Sequence, residues 1–230
     1  MQVYSHRGSV EAGVENTLQA FDHAVNMGAG GIEFDVRLCG SGELILMHDS
    51  TLWRTDHKFI PICITSLDKL RKQCSYHIPT LDEVLERYIG KCVLILDLKD
   101  TRLRGSELES KVVNTLKEYE DKFEKIVLST DSYVSLSKLS VLMDNFLRKK
   151  VELALIIDGR FRITTIMSYF SVLDAIHLDR KLVRKSNVRF WKGCGVKVRV
   201  WTVNSEVEAI KMANLGIDGI FTDNIALFTK

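Results

Sequence analysis

Val93-Leu94-Ile95-Leu96-Asp97-Leu98 is an apolar run with a single acid set near its end. Six aliphatic-rich residues bounded by polar segments read as a strand buried on both faces. Such strands belong to parallel sheets covered by helices. Working outward, comparable runs occur at 3–6, 31–38, 125–129, 152–158, 175–178, 196–203 and 219–222, which makes eight strands. Amphipathic segments lie between them. Thr80-x-x-Glu83, Ser106-x-x-Glu109 and Ser205-x-x-Glu208 each fit a capping box that opens a helix, and Asn16-x-x-Gln19 is a looser version. Gly28 and Gly216 follow helical runs and suit C-terminal caps. The segment 43–48 follows Gly40-Ser41-Gly42 and reads as an antiparallel partner or continuation of the second strand.

Eight βα units in 230 residues give about 29 residues per unit, the size of a compact (β/α)8 TIM barrel. The expectation is a single-domain barrel over residues 1–230, with a short insertion after the second strand. Only two prolines occur, Pro61 and Pro79, and no stretch reads as a linker. An open doubly wound sheet is the alternative. A dinucleotide-binding loop does not fit, because the glycines of Gly28-Ala29-Gly30-Gly31 precede a strand where that loop must follow one.

Composition narrows the partners. The chain is 46% hydrophobic and 27% charged, with a net charge of +2. Acids and bases are interspersed, which argues against a nucleic-acid partner. The basic segment Arg180-Lys181-Leu182-Val183-Arg184-Lys185 reads as a solvated helix start. The five cysteines are odd in number and contain no C-x-x-C, so reduced thiols in the cytoplasm are expected. Cys92 reads as a small buried hydrophobe. Arg7 and Gly8 come too early for a secretory signal, and no apolar run approaches a membrane span. The oligomeric state is not legible.

The chemistry starts at Gly31-Ile32-Glu33-Phe34-Asp35-Val36. Residues i and i+2 of a strand share a face, so Glu33 and Asp35 stand side by side. Two such carboxylates both stay ionised if a cation sits between them. Asp97, late in its own strand, is the candidate third acid. Its other reading is an internal ion pair with Lys99, which shares its face. An oxygen-only set points to one divalent metal, Mg2+ or Ca2+, and away from zinc. His6 and His48 also fall at strand ends, and histidine titrates near neutral pH, so they are the candidate acid and base. His23, His57, His77 and His177 read as packed or surface residues. In a barrel all strand C-termini share one face, and that face carries the site.

His6-Arg7-Gly8, Glu15-Asn16-Thr17, Glu33-x-Asp35, His48-Asp49 to Leu52 with Arg54-Thr55, Ile78 to Leu85, Trp201-Thr202-Val203-Asn204 and Gly216 to Asp223 occur in that order. This series strongly resembles the glycerophosphodiester phosphodiesterases. The resemblance implies hydrolysis of a glycerophosphodiester to sn-glycerol 3-phosphate and an alcohol such as choline or ethanolamine. It implies His6 and His48 as the acid/base pair, and Arg7 and Lys99 as phosphate ligands. It also implies Glu33, Asp35 and Asp97 as metal ligands, Trp201 as a wall of the glycerol pocket, and a cyclic phosphate formed by the glycerol 2-hydroxyl. The chain departs from the pattern at Asp97, where Glu is usual, at Val14, where Pro is usual, and at Ser129-Thr130, where Ser-Phe is usual. Asp97 and the missing Phe keep a bulkier lysophospholipid or sphingolipid substrate open. A non-catalytic binding module is the remaining alternative.

Overall fold

The computed structural model describes residues 1–99, 107–159 and 170–229. Strand β4 (Val93–Leu98) is buried along nearly its whole length and lies between β2 (Gly31–Leu38) and β5 (Ile126–Thr130), parallel to both. Parallel pairing continues through β6 (Val151–Ile157), β7 (Ala175–Asp179), β8 (Lys197–Trp201) and β9 (Gly219–Thr222) to β1 (Gln2–His6). The ring closes where β1 also pairs with β2. This is the expected eight-stranded parallel barrel. The insertion is also as expected: β3 (Leu44–Leu46) runs antiparallel on the upper end of β2.

The hydrogen-bond register fixes what points inward. His6 is paired with Glu33, Asp35 with Asp97, and Asp97 with Ser129. By the period of two, Ile32, Phe34, Val36, Leu94, Leu96 and Leu98 face outward. They pack with Phe21 and Ala24 of α1 (Leu18–Asn26), with Leu81, Val84 and Leu85 of α4 (Leu81–Tyr88), and with Val112 and Leu116 of α5 (Glu107–Glu118). The two short helices between, α2 (Trp53–Asp56) and α3 (Leu67–Gln73), belong to the insertion. The inner apolar layer is thin: Tyr4, Ile95, Val127, Ala154, Ala175 and Phe221. Charged residues cap it at both ends. Gly31 is needed where β4 approaches, since a Cβ there would lie 2.4 Å from the Val93 carbonyl oxygen.

The helix starts only partly follow the sequence reading. Thr80 and Glu83 form the full capping box. Ser205 occupies the N-cap of α9 (Glu206–Asn214) without a side-chain cap, and Glu208 instead pairs with Arg180 at 3.1 Å. Thr17, and not Asn16, caps α1, through the Ala20 N–H at 3.3 Å. Ser106 lies outside the described residues. Gly28 and Gly216 both have positive φ, as C-terminal caps require. The basic segment begins as a 3-10 turn, Arg180–Leu182, and α8 (Lys185–Gly193) starts only at Lys185. Cys92 is partly buried, and that burial raises its thiol pKa to about 11.

Candidate active site

The C-terminal mouth of the barrel opens into a cleft of about 440 Å³. Its lining follows the strand periodicity: His6, Glu33, Arg37, Asp97, Lys99 and Trp201 are all inward positions that border it. The eight residues singled out from sequence therefore meet in one place, with Asp35 buried directly beneath.

Glu33, Asp35 and Asp97 are buried, and their carboxylate oxygens lie within 4.8 Å of one another. A hard cation binds oxygen at about 2.0–2.6 Å, so this span suits a single divalent ion. Among the described residues, Asp97 Oδ1 is buried with no hydrogen-bond donor. Lys99 partly neutralises it, with Nζ on Asp97 Oδ2 and 3.1 Å from Asp35 Oδ1. The internal ion pair expected as the other reading of Asp97 is therefore present alongside the acidic cluster. Arg7 Nε lies 3.1 Å from Asp35 Oδ2.

The three carboxylates differ in environment. Burial, then the negative charge of Asp35, pushes Glu33 up to about 7. Burial also raises Asp97. Asp35 suffers the same desolvation, but Lys99, Arg7 and the Asn16 amide hold it well below the usual carboxylate range.

Both histidines are oriented by an acid. His6 Nδ1 is 2.7 Å from Asp223 Oδ1, and Asn204 donates to the other oxygen at 2.7 Å. Burial disfavours a charged His6, yet the bond to Asp223 and the charge of Glu33 outweigh it, so its pKa is raised. His48 Nδ1 is 2.9 Å from Asp49 Oδ1, and here burial prevails and the pKa is lowered. The His48 carbonyl accepts from Arg37 Nε at 2.9 Å, which fixes the backbone that carries the ring.

Several contributors escaped the sequence reading. Asn16 adopts φ 57°, a left-handed conformation that asparagine tolerates. Its amide donates to Asp35 Oδ2 at 2.8 Å, and its oxygen accepts from the Asp35 N–H at 3.1 Å. Arg37 was legible by periodicity, two residues beyond Asp35 on the same face. Arg54 ion-pairs with both Asp49 and Glu15, and Glu15 also accepts from Arg7 Nη1 at 3.2 Å. Asp223 and Asn204 lie in motifs that were recognised, but nothing in their spacing pairs them. His177, read as a packing residue, lies on the cavity wall with its ring 4.8 Å from Phe221. Burial and the neighbouring Arg199 hold it well below its ordinary value, hence neutral. Trp201 both lines the cleft and donates Nε1–H to the His177 carbonyl at 3.0 Å.

A model of the glycerophosphoryl diester phosphodiesterase family matches residues 6–227. A glycerophosphodiester phosphodiesterase of Bacillus altitudinis is 28% identical over 251 residues, spanning 96% of this chain and 94% of its own. A lysophospholipase D of Rattus norvegicus is 25% identical over 262 residues, spanning 95% and 82%. Among solved structures, an Oleispira antarctica phosphodiesterase in complex with the product sn-glycerol-3-phosphate matches with a TM-score of 0.86 at 25% identity, over 99% of this chain and 94% of that one. With the match running from the first candidate histidine to the end of the barrel, the chain belongs to the glycerophosphoryl diester phosphodiesterase family.

Proposed function

We propose that this chain hydrolyses glycerophosphodiesters to sn-glycerol 3-phosphate and an alcohol, with His6 and His48 as acid and base and a divalent cation on Glu33, Asp35 and Asp97. The observation that carries this reading is the convergence of three buried carboxylates, oxygens within 4.8 Å, in a cleft bordered by two carboxylate-bound histidines. Family membership and the Oleispira product complex support it.

Arg7 and Lys99 bind the phosphate and offset its charge as the phosphorus becomes five-coordinate. One imidazole takes the proton of the attacking glycerol 2-hydroxyl, and the other protonates the leaving alkoxide on the opposite side. Water then opens the cyclic phosphate with the two roles exchanged. Asp223 and Asp49 each hold a ring in one tautomer, so both side chains are oriented before substrate arrives. Mg2+ or Ca2+ on the three acids would lower the pKa of a bound hydroxyl and polarise the phosphoryl oxygen. Trp201 walls the glycerol pocket. The chain is read as one domain, and its five free cysteines support a reducing, cytoplasmic setting.

The test is release of glycerol 3-phosphate from glycerophosphocholine and glycerophosphoethanolamine with Mg2+, Ca2+ or EDTA. His6→Ala and His48→Ala should each lower kcat about 10²–10⁴-fold. No product under any condition, or full activity in His6→Ala, sinks the proposal. A second substrate, a lysophospholipid, is favoured by the lysophospholipase D relative. Faster choline release from lysophosphatidylcholine than from glycerophosphocholine decides for it.

A further inference from the structure

The insertion after His48 leaves the barrel and folds back on itself. The Leu52 N–H donates to the Ile60 carbonyl at 3.3 Å and the Ile62 N–H to the Ser50 carbonyl at 2.9 Å, which pins residues 53–59 as a tip. That tip carries Trp53, 58% exposed, and Phe59, 79% exposed. Aromatic side chains of this size are normally withdrawn from water in a folded chain.

Arg54 ties the tip to the rim of the cleft through Asp49 and Glu15. Glu15 belongs to the loop after β1, where Val10 and Val14 are also exposed. Two loops thus meet beside the cleft, and each presents apolar side chains to solvent.

The charge around this patch is unbalanced. Arg54 is already paired with Asp49 and Glu15, but among residues 50–73 Lys58, Lys69 and Lys72 are also exposed, against the single exposed acid Asp68. Glu11 is the exposed acid of the other loop. Lys58 donates to the Gln73 carbonyl at 2.6 Å, which brings it to the Lys72 end of α3. Exposed Trp and Phe bordered by lysines form the composition of a surface that sits in a bilayer interface.

We propose that this rim docks on an anionic phospholipid bilayer. Trp53 and Phe59 enter the headgroup region, and Lys58, Lys69 and Lys72 supply the electrostatic attraction. The attachment is peripheral, since no helix among the described residues is long and apolar enough to cross a membrane. Docking does not depend on which diester is cut, or on whether any is.

The test is co-sedimentation of the full chain with sucrose-loaded vesicles of phosphatidylglycerol mixed with phosphatidylcholine, against vesicles of phosphatidylcholine alone. Binding to the anionic vesicles that weakens as salt is added is the expected result. Trp53→Ser combined with Phe59→Ser should lower partitioning about tenfold or more, with hydrolysis of glycerophosphocholine unchanged. Brominated lipid should quench the tryptophan fluorescence of the unaltered chain, because Trp53 is exposed while Trp191 is buried. No binding to anionic vesicles, equal binding to neutral ones, or an unaffected double variant overturns the proposal. Because binding is read without turnover, failure to hydrolyse any substrate leaves this result distinct.

Discussion

The two ends of the barrel interior resolve the same electrostatic problem in opposite ways. At the mouth, three buried acids face Lys99, Arg7 and Arg37, yet the bases serve Asp35 and Asp97, and burial, then the charge of Asp35, pushes Glu33 up to about 7. At the floor, one acid faces three bases. Glu152 takes Lys125 at 2.9 Å and Lys197 at 2.6 Å on one oxygen, and Arg199 on the other. Burial opposes ionisation there too, yet Arg199 and the lysines prevail and lower Glu152 to about 2. The floor is complete as built. The mouth leaves Glu33 without an ion pair among the described residues, which is the condition of a site that gains by taking up a cation. The lesson is that burial alone does not set the protonation of a carboxylate; the balance of neighbouring charge does.

The largest expected effect breaks the floor. Glu152→Ala leaves Arg199 buried and unpaired, which costs about 3–5 kcal/mol and lowers the melting temperature by on the order of 10 °C. Turnover measured below that transition should stay close to the parent value. A collapse of kcat in a folded Glu152→Ala would show that the two ends are not separable. The pH dependence has a definite sign. Because Glu152 is depressed from 4.5 to about 2, its contribution is present above 4.5 and lost as pH falls through about 2.

A smaller effect is expected at the rim. Arg54 touches neither histidine nor the acidic cluster, but it holds both Asp49 and Glu15. It is a positioning residue, and supports of this kind are worth about 10–100-fold. Arg54→Ala should lower kcat/KM within that range and shift the pH profile of kcat, while Arg54→Lys restores part of the activity. An unchanged pH profile in Arg54→Ala would leave the contact purely structural.

The smallest effect sharpens the contrast. Glu33 is raised from 4.5 to about 7, so the folded chain keeps a proton that the unfolded chain releases. In EDTA, stability should therefore fall as pH rises from about 4.5 to 7, opposite in sign to the Glu152 tilt. Glu33→Gln should flatten that slope and raise the melting temperature at pH 8 by a few degrees, at about 2–4 °C per kcal/mol. Adding Mg2+ or Ca2+ to the parent should also raise it, through binding to the native state alone. Calorimetry that shows no slope in EDTA rules out a Glu33 that stays protonated in the fold.

Much of this was written along the strands. The run 93–98 carried the barrel, and periodicity of two placed Glu33, Asp35, Asp97 and Lys99 on the inside. The same rule reaches Arg37. Helix starts were less legible, because Ser205 and Asn16 have cap-like spacing while tertiary contacts take Glu208 to Arg180 and Asn16 to Asp35.

By itself the sequence determined which residues face the barrel interior and which strand ends bear acids and histidines, because strand periodicity is a local property of the backbone. Only the tertiary structure decided how those charges are balanced. Asp223 beside His6, Arg54 between Asp49 and Glu15, and three bases around Glu152 all join residues far apart in the chain. Coulomb energies depend on distance and burial, and spacing along the chain carries neither.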